Sequence, residues 1–122
     1  MNFSQTTPIL RMFDEGKTRE FYLDYLGFTV DWEHRFEPDM PLYMQVSRAG
    51  CVLHLTEHHG ACSPGAAMRI QTSDVRALHQ ELSAKQYGDA RPGIECTPWE
   101  TEDLSITDPF GNRLTFTTAV SA

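Results

Sequence analysis

One β-hairpin is written twice into this chain, 61 positions apart, and that interval is half of the 122-residue length. The second copy is the clearer. Leu104 to Phe116 alternates on both sides of Asp108-Pro109-Phe110-Gly111-Asn112. Pro sets φ for the second position of a turn, and Gly and Asn tolerate the positive φ that reverses the chain. The first copy runs from Leu42 to Val46, turns at Ala49-Gly50, and returns through Cys51 to Leu55. Gly50 to Gly111 spans 61 positions, and so does Gly27 to Gly88, two glycines that each follow an amphipathic stretch. Self-similarity at a fixed period is the mark of an internal duplication.

Each copy reads as β-α-β-β-β. In the first, Thr7 to Phe13 alternates as a strand and Asp14 is positioned as a helix N-cap. Thr18, Phe21, Tyr22, Tyr25 and Leu26 form one helical stripe, closed by Gly27. Phe28 to Phe36 has period two, which predicts Phe28, Val30, Trp32, His34 and Phe36 on one face and Thr29, Asp31, Glu33 and Arg35 on the other. Glu37 to Pro41 breaks that strand, and the strands Leu42 to Ser47 and Cys51 to Thr56 follow. A polar linker punctuated by Gly and Pro covers 58–65. In the second copy Ala67 to Thr72 is a strand and Ser73 or Asp74 a cap. Val75, Leu78 and Leu82 make the stripe, Gly88 the stop, and Asp89 to Thr97 a weak strand interrupted at Pro92-Gly93. The expected fold is therefore α+β: two βαβββ units forming an eight-stranded, open, cup-shaped sheet with helices outside. It is one domain over 1–122, with units at about 6–57 and 66–119.

Bulk properties narrow the partners. A chain of 122 residues, 40% hydrophobic and 22% charged, is long enough to bury a core without staples. No apolar run approaches the ~18 residues that span a bilayer, and the N-terminus has no basic-then-apolar pattern, so a cytoplasmic location away from membranes is expected. Cys51, Cys62 and Cys96 are odd in number and lack CxxC spacing, which argues against a disulfide framework or a zinc knot. A net charge of −7 disfavours nucleic acid and anionic membrane and favours a cationic or neutral ligand.

Phe21-Tyr22-x-x-x-Leu26-Gly27-Phe28, the paired units and Asp108-Pro109-x-Gly111-Asn112 resemble the vicinal oxygen chelate superfamily, over residues 6–119. That superfamily includes glyoxalase I, extradiol dioxygenases and bleomycin-resistance proteins. The resemblance implies a cleft in which many members hold a divalent metal on four strand positions. Carried onto this chain, those positions are Thr7, His54, Ala67 (or Met68) and Thr115, and only His54 is a strong ligand. Methyl and hydroxyl groups cannot hold a divalent cation against water, so no metal and no cofactor is expected. What remains resembles the bleomycin-resistance branch, which lacks the metal and binds its drug in the same concavity, in intertwined dimers whose crevices lie between subunits. Pro98-Trp99, followed by Ile106-Thr107-Asp108-Pro109, resembles that branch's Pro-Trp segment, in which the tryptophan helps line the drug site. Glu100 departs from it, standing where a glycine often follows the tryptophan.

Counting back from Ala49-Gly50 pairs Ser47 with Val52, Gln45 with His54 and Tyr43 with Thr56. These six share one face, which the superfamily register turns into the cleft. The expected ligand-binding residues are Trp32, His34, Phe36, Tyr43, Gln45, His54 and Trp99. Two readings of His54 stay open: a ligand contact, or an interior histidine satisfied by the Gln45 amide. Strand alternation turns Glu57 away from His54 and His59 lies in the linker, so Glu57, His58 and His59 form a solvated linker edge, and Asp31 and Glu33 form a solvated face of the second strand. Cys51 falls on the helix side. The function expected is a metal-free binding protein, a homodimer, that sequesters a cationic or aromatic antibiotic-like ligand such as a bleomycin. The alternatives are a lyase, isomerase or dioxygenase-like enzyme with an atypical site at His54, and a binding module of other metabolic role.

Overall fold

A computed structural model describes residues 1–88 and 90–120. The chain divides into two compact units, with the boundary between Pro64 and Gly65.

In the first unit, β1 (Ile9–Arg11) leads into α1 (Glu15–Thr18), which continues without a break as a π-helical stretch, Arg19–Tyr25, before β2 (Thr29–His34), β3 (Tyr43–Arg48) and β4 (Cys51–Thr56). The second unit repeats the order: β5 (Ala67–Gln71), α2 (Val75–Ala84), β6 (Ile94–Cys96), β7 (Thr101–Thr107) and β8 (Arg113–Ala119). The strand orders are equivalent, β1-β4-β3-β2 and β5-β8-β7-β6, each with one parallel pair and two antiparallel pairs. The α+β architecture of two βαβββ units expected from the duplication is the one observed. Among the described residues, no helix is long and apolar enough to cross a membrane.

Both helices start where an aspartate can cap them. Asp14 accepts from the Lys17 amide at 2.8 Å, and Asp74, rather than Ser73, accepts from the Ala77 amide at 3.1 Å. In the first unit all five stripe residues are buried. The π-helical turn closes with Leu26 N–H on Phe21 O at 3.0 Å, and Gly27 then takes φ +75°. Arg48 finishes that end by donating to the Leu26 carbonyl at 2.6 Å. The stop expected at Gly88 lies elsewhere: α2 ends at Ala84, and Gln86 adopts the left-handed conformation at φ +52°. The weak strand expected from Asp89 contracts to Ile94–Cys96, and Asp89 itself lies outside the described residues. The core of the first unit is Met44, Val46, Leu53 and Leu55 beneath Phe21, Tyr22 and Tyr25. Cys51 shares that helix-side face, and burial raises its thiol pKa. All three cysteines are free.

The Asp108-Pro109-Phe110-Gly111-Asn112 turn is a closed hydrogen-bonded knot. Asp108 Oδ1 accepts from the amides of Phe110 and Asn112 at 2.9 and 2.8 Å, and Asn112 Nδ2 donates to Asp108 Oδ2 at 2.8 Å. Asn112 Oδ1 accepts from the Ala66 amide, tying the turn to the start of β5. Both side chains are buried, so the Asp and Asn of this motif hold the hairpin in place and leave nothing for a ligand.

Candidate functional site

The β3–β4 register is the one expected, with Tyr43 opposite Thr56, Gln45 opposite His54 and Ser47 opposite Val52. The β2 register is not. Thr29 faces Ser47 and Val30 faces Val46, but Trp32 faces Gln45 and His34 faces Tyr43, so a β-bulge lies at Asp31. An extra residue in a strand reverses the alternation beyond it. Phe28 and Val30 therefore belong with the core face, and Trp32 and His34 lie on the opposite face, beside Gln45 and Tyr43. The single five-residue stripe expected for β2 is split at this point. Phe36 lies beyond the end of the strand, 82% exposed, with its ring edge-on to His34 at 5.7 Å.

The bulge assembles an aromatic cluster. The Trp32 indole lies parallel to the Tyr43 ring (centroids 5.9 Å, planes 6° apart), and the His54 ring stands edge-on to both, at 5.3 and 5.2 Å. Trp32 remains 43% exposed. A continuous hydrogen-bonded row runs beneath it. The Tyr43 hydroxyl meets His54 Nδ1 at 2.6 Å, His54 Nε2 meets Gln45 Oε1 at 2.9 Å, and Gln45 Nε2 donates to Asp31 Oδ2 at 3.0 Å. Ser47 Oγ donates to Asp31 Oδ1, also at 3.0 Å. The Gln45 and Ser47 donors hold the Asp31 carboxyl below its usual pKa, and burial raises that of Tyr43.

Asp31 and Trp32 are consecutive, and alternation alone would place them on opposite faces. A single alternation with Trp32 on the cleft side sends Asp31 to the far face; the observed register places it on this face with Thr29, and the bulge then brings Trp32 and His34 round to join it. An aspartate in mid-strand, where its type is depleted, was the available signal. The linker edge is also less solvated than expected. Glu57 Oε1 accepts from the Leu42 amide at 2.9 Å and pairs with Arg35, and the His59 carbonyl accepts from Arg11. These groups brace the first unit.

In the second unit, Trp99 is 64% exposed in the β6–β7 loop. Glu100, after it, takes φ +64°, so the loop has the backbone a glycine would favour although a glutamate occupies the position. Trp99 borders a recess of about 390 Å³ that Arg69, Glu95, Asp103, Ser105, Arg113 and Thr115 also line. Asp103 is buried and accepts from Thr117 Oγ1 at 2.6 Å, from Arg69 Nη1 at 3.0 Å and from Thr101 Oγ1 at 2.9 Å. Burial alone would raise its pKa, but these donors and the guanidinium charge outweigh it and hold the carboxyl below its usual value. Ser105 faces Thr115 as Gln45 faces His54, and their hydroxyls bond at 2.9 Å.

These residues do not fit a divalent metal. Of Thr7, His54, Ala67 (or Met68) and Thr115, only His54 is a strong donor, and both its nitrogens are engaged within the protein. Among the described residues, no group of three or more His, Cys, Asp or Glu is placed to hold an ion.

Two βαβββ units in one chain, each presenting a sheet face opposite its helix, define the class. A model of the family described as glyoxalase superfamily protein matches residues 1–122, and the chain belongs to that superfamily. Among solved structures it is similar to the bleomycin-binding protein of bleomycin-producing Streptomyces verticillus in complex with copper(II)-bleomycin. The identity there is 26%, the TM-score 0.70, and 99% of each chain is covered. It is also similar to the bleomycin resistance determinant encoded on transposon Tn5 (19% identity, TM-score 0.74, 96% of this chain and 98% of that one). An antibiotic-binding protein from Streptomyces sp. CB03234 aligns with 21% identity and a TM-score of 0.70, over 98% of each chain. No curated protein matches.

Proposed function

We propose that this chain is a metal-free small-molecule binding protein that sequesters a flat, cationic, antibiotic-like ligand, of the kind bleomycin represents. The observation that carries the reading is the Trp32–Tyr43–His54 cluster: an open stacking surface whose histidine has both nitrogens bonded inside the protein. Aromatic faces attract planar and cationic groups through their quadrupole, and a net charge of −7 raises the local concentration of a cation. Trp99, open beside its own recess, supplies a second stacking side chain. The similarity to bleomycin-binding proteins supports the same reading.

A homodimer belongs to this proposal. Phe13, Trp32 and Phe36 are large, apolar and exposed, and a second copy would cover such surface and enclose the ligand in a crevice between copies. Sequestration is distinguished from chemistry by the fate of the drug. Bleomycin incubated with the protein and released by denaturation is expected back with unchanged mass. A modified drug would overturn sequestration in favour of an enzyme.

A further inference from the structure

The row from Asp31 to Tyr43 has a direction, and the direction is set at one end. A carboxylate only accepts, so the Gln45 atom 3.0 Å from Asp31 Oδ2 is the amide nitrogen. The Gln45 oxygen therefore points at His54 Nε2, 2.9 Å away, and that nitrogen must carry the proton. His54 Nδ1 is then an acceptor, and the Tyr43 hydroxyl 2.6 Å away must donate to it. One carboxylate decides the tautomer of a histidine two side chains away.

We propose that Asp31 is the positioning residue of this face: through Gln45 it holds His54 as the Nε2–H tautomer with the Tyr43 hydroxyl turned inward, and its own carboxylate selects flat cations over flat anions. The first half uses no ligand. The second rests on the binding function proposed above.

The selectivity follows from what the row leaves outward. The Tyr43 hydroxyl, both His54 nitrogens and the Ser47 hydroxyl are all engaged within the cluster. The surface is left with the π faces of Trp32 and Tyr43, the second N–H of Gln45 and the remaining lone pairs of an exposed carboxylate, so the net charge it presents is negative. A planar cation finds two favourable terms there, and a planar anion meets repulsion from both. The bulge is what brings the carboxylate and the indole to one side of the sheet.

The test begins with the ¹⁵N shifts of the His54 ring in the free protein near neutral pH. The expected result is the Nε2–H tautomer; a predominant Nδ1–H form or an even mixture would overturn the assignment. In Asp31→Asn the amide can present either a donor or an acceptor to Gln45, so His54 is expected to leave the pure Nε2–H form. Persistence of that form would refute the role of Asp31. If Asp31→Asn does not fold, Gln45→Met breaks the same link from its other side, with the same two outcomes. Glu33→Gln removes an equal charge from the same strand, but on the opposite face. It is expected to leave the tautomer unchanged, and a shift equal to that of Asp31→Asn would show a general charge effect and overturn the proposal. For selectivity the probes are proflavine, a planar cation, and 9-anthracenecarboxylate, a planar anion of similar size. The wild type is expected to prefer proflavine at least tenfold, and Asp31→Asn to lose most of that preference while Glu33→Gln keeps it. Equal binding of both probes by the wild type would refute the selectivity. Binding of neither would refute the ligand reading, with the positioning role still decided by the ring shifts.

Discussion

Trp32 and Tyr43 lie face to face with their planes only 6° apart, although a strictly alternating strand would have put the indole on the helix side of the sheet. The stack exists because Asp31 is bulged. It leaves one indole face open beside a tyrosine ring already fixed by its bond to His54. An aromatic contact adds about 0.5–1.5 kcal/mol beyond area burial. Trp32→Ala is therefore expected to weaken bleomycin binding several-fold while moving the unfolding midpoint little, since the side chain is half exposed. Unchanged affinity in a folded variant would move the site away from this face.

A metal prediction follows from the same row. Because His54 has no free nitrogen, protein equilibrated with zinc or nickel and then dialysed is expected to retain far less than one ion per chain. Elemental analysis reads this directly. Stoichiometric metal that disappears in His54→Ala would contradict the arrangement and favour an enzyme.

Gly27 and Gly50 separate backbone strain from crowding. Both have positive φ, but a Cβ at Gly27 would lie 3.0 Å from Arg48 Nη1, whereas no described residue comes within 4 Å of one at Gly50. A non-glycine residue in the left-handed region costs about 1–2 kcal/mol. Gly50→Ala is expected to lose about that much, and Gly27→Ala more, because Arg48 must also give up its bond to the Leu26 carbonyl. Chemical denaturation compares the two. Equal losses would mean that Arg48 moves aside freely.

Asp103 makes the stability of the second unit depend on acid. Its folded carboxyl is held below the unfolded value, so its contribution is complete above the unfolded pKa of about 3.9 and is lost as pH falls through the folded one. Asp103→Asn is expected to cost about 1–3 kcal/mol at neutral pH and to flatten the decline of stability below pH 4. An acid limb as steep as that of the wild type would assign acid sensitivity to other carboxylates.

Where local rules acted alone, the chain was legible. The Ala49-Gly50 turn set the β3–β4 register, and with it the Gln45–His54 pair, because a hairpin's register follows from its turn. The duplicated turns and capped helices revealed the βαβββ repeat for the same reason. The β2 face was not legible, because a bulge is decided by what the neighbouring strand offers: here Gln45 and Ser47 both reach Asp31. The helix stop at Gly88 failed for a comparable reason, since Gln86 adopts positive φ without being a glycine. The satisfied state of His54 lay halfway. Its partner Gln45 was readable from register, but the Tyr43 hydroxyl on its other nitrogen was not.

Binding of a flat cationic drug without metal is read by a calorimetric titration of metal-free protein with copper-loaded and metal-free bleomycin, followed in parallel by tryptophan fluorescence. The expected result is about one drug per chain, quenching of tryptophan emission, and affinity that falls with added salt and again in Trp32→Ala and Trp99→Ala. No heat and no quenching at ~100 μM drug, meaning binding weaker than about −5.5 kcal/mol, would contradict it.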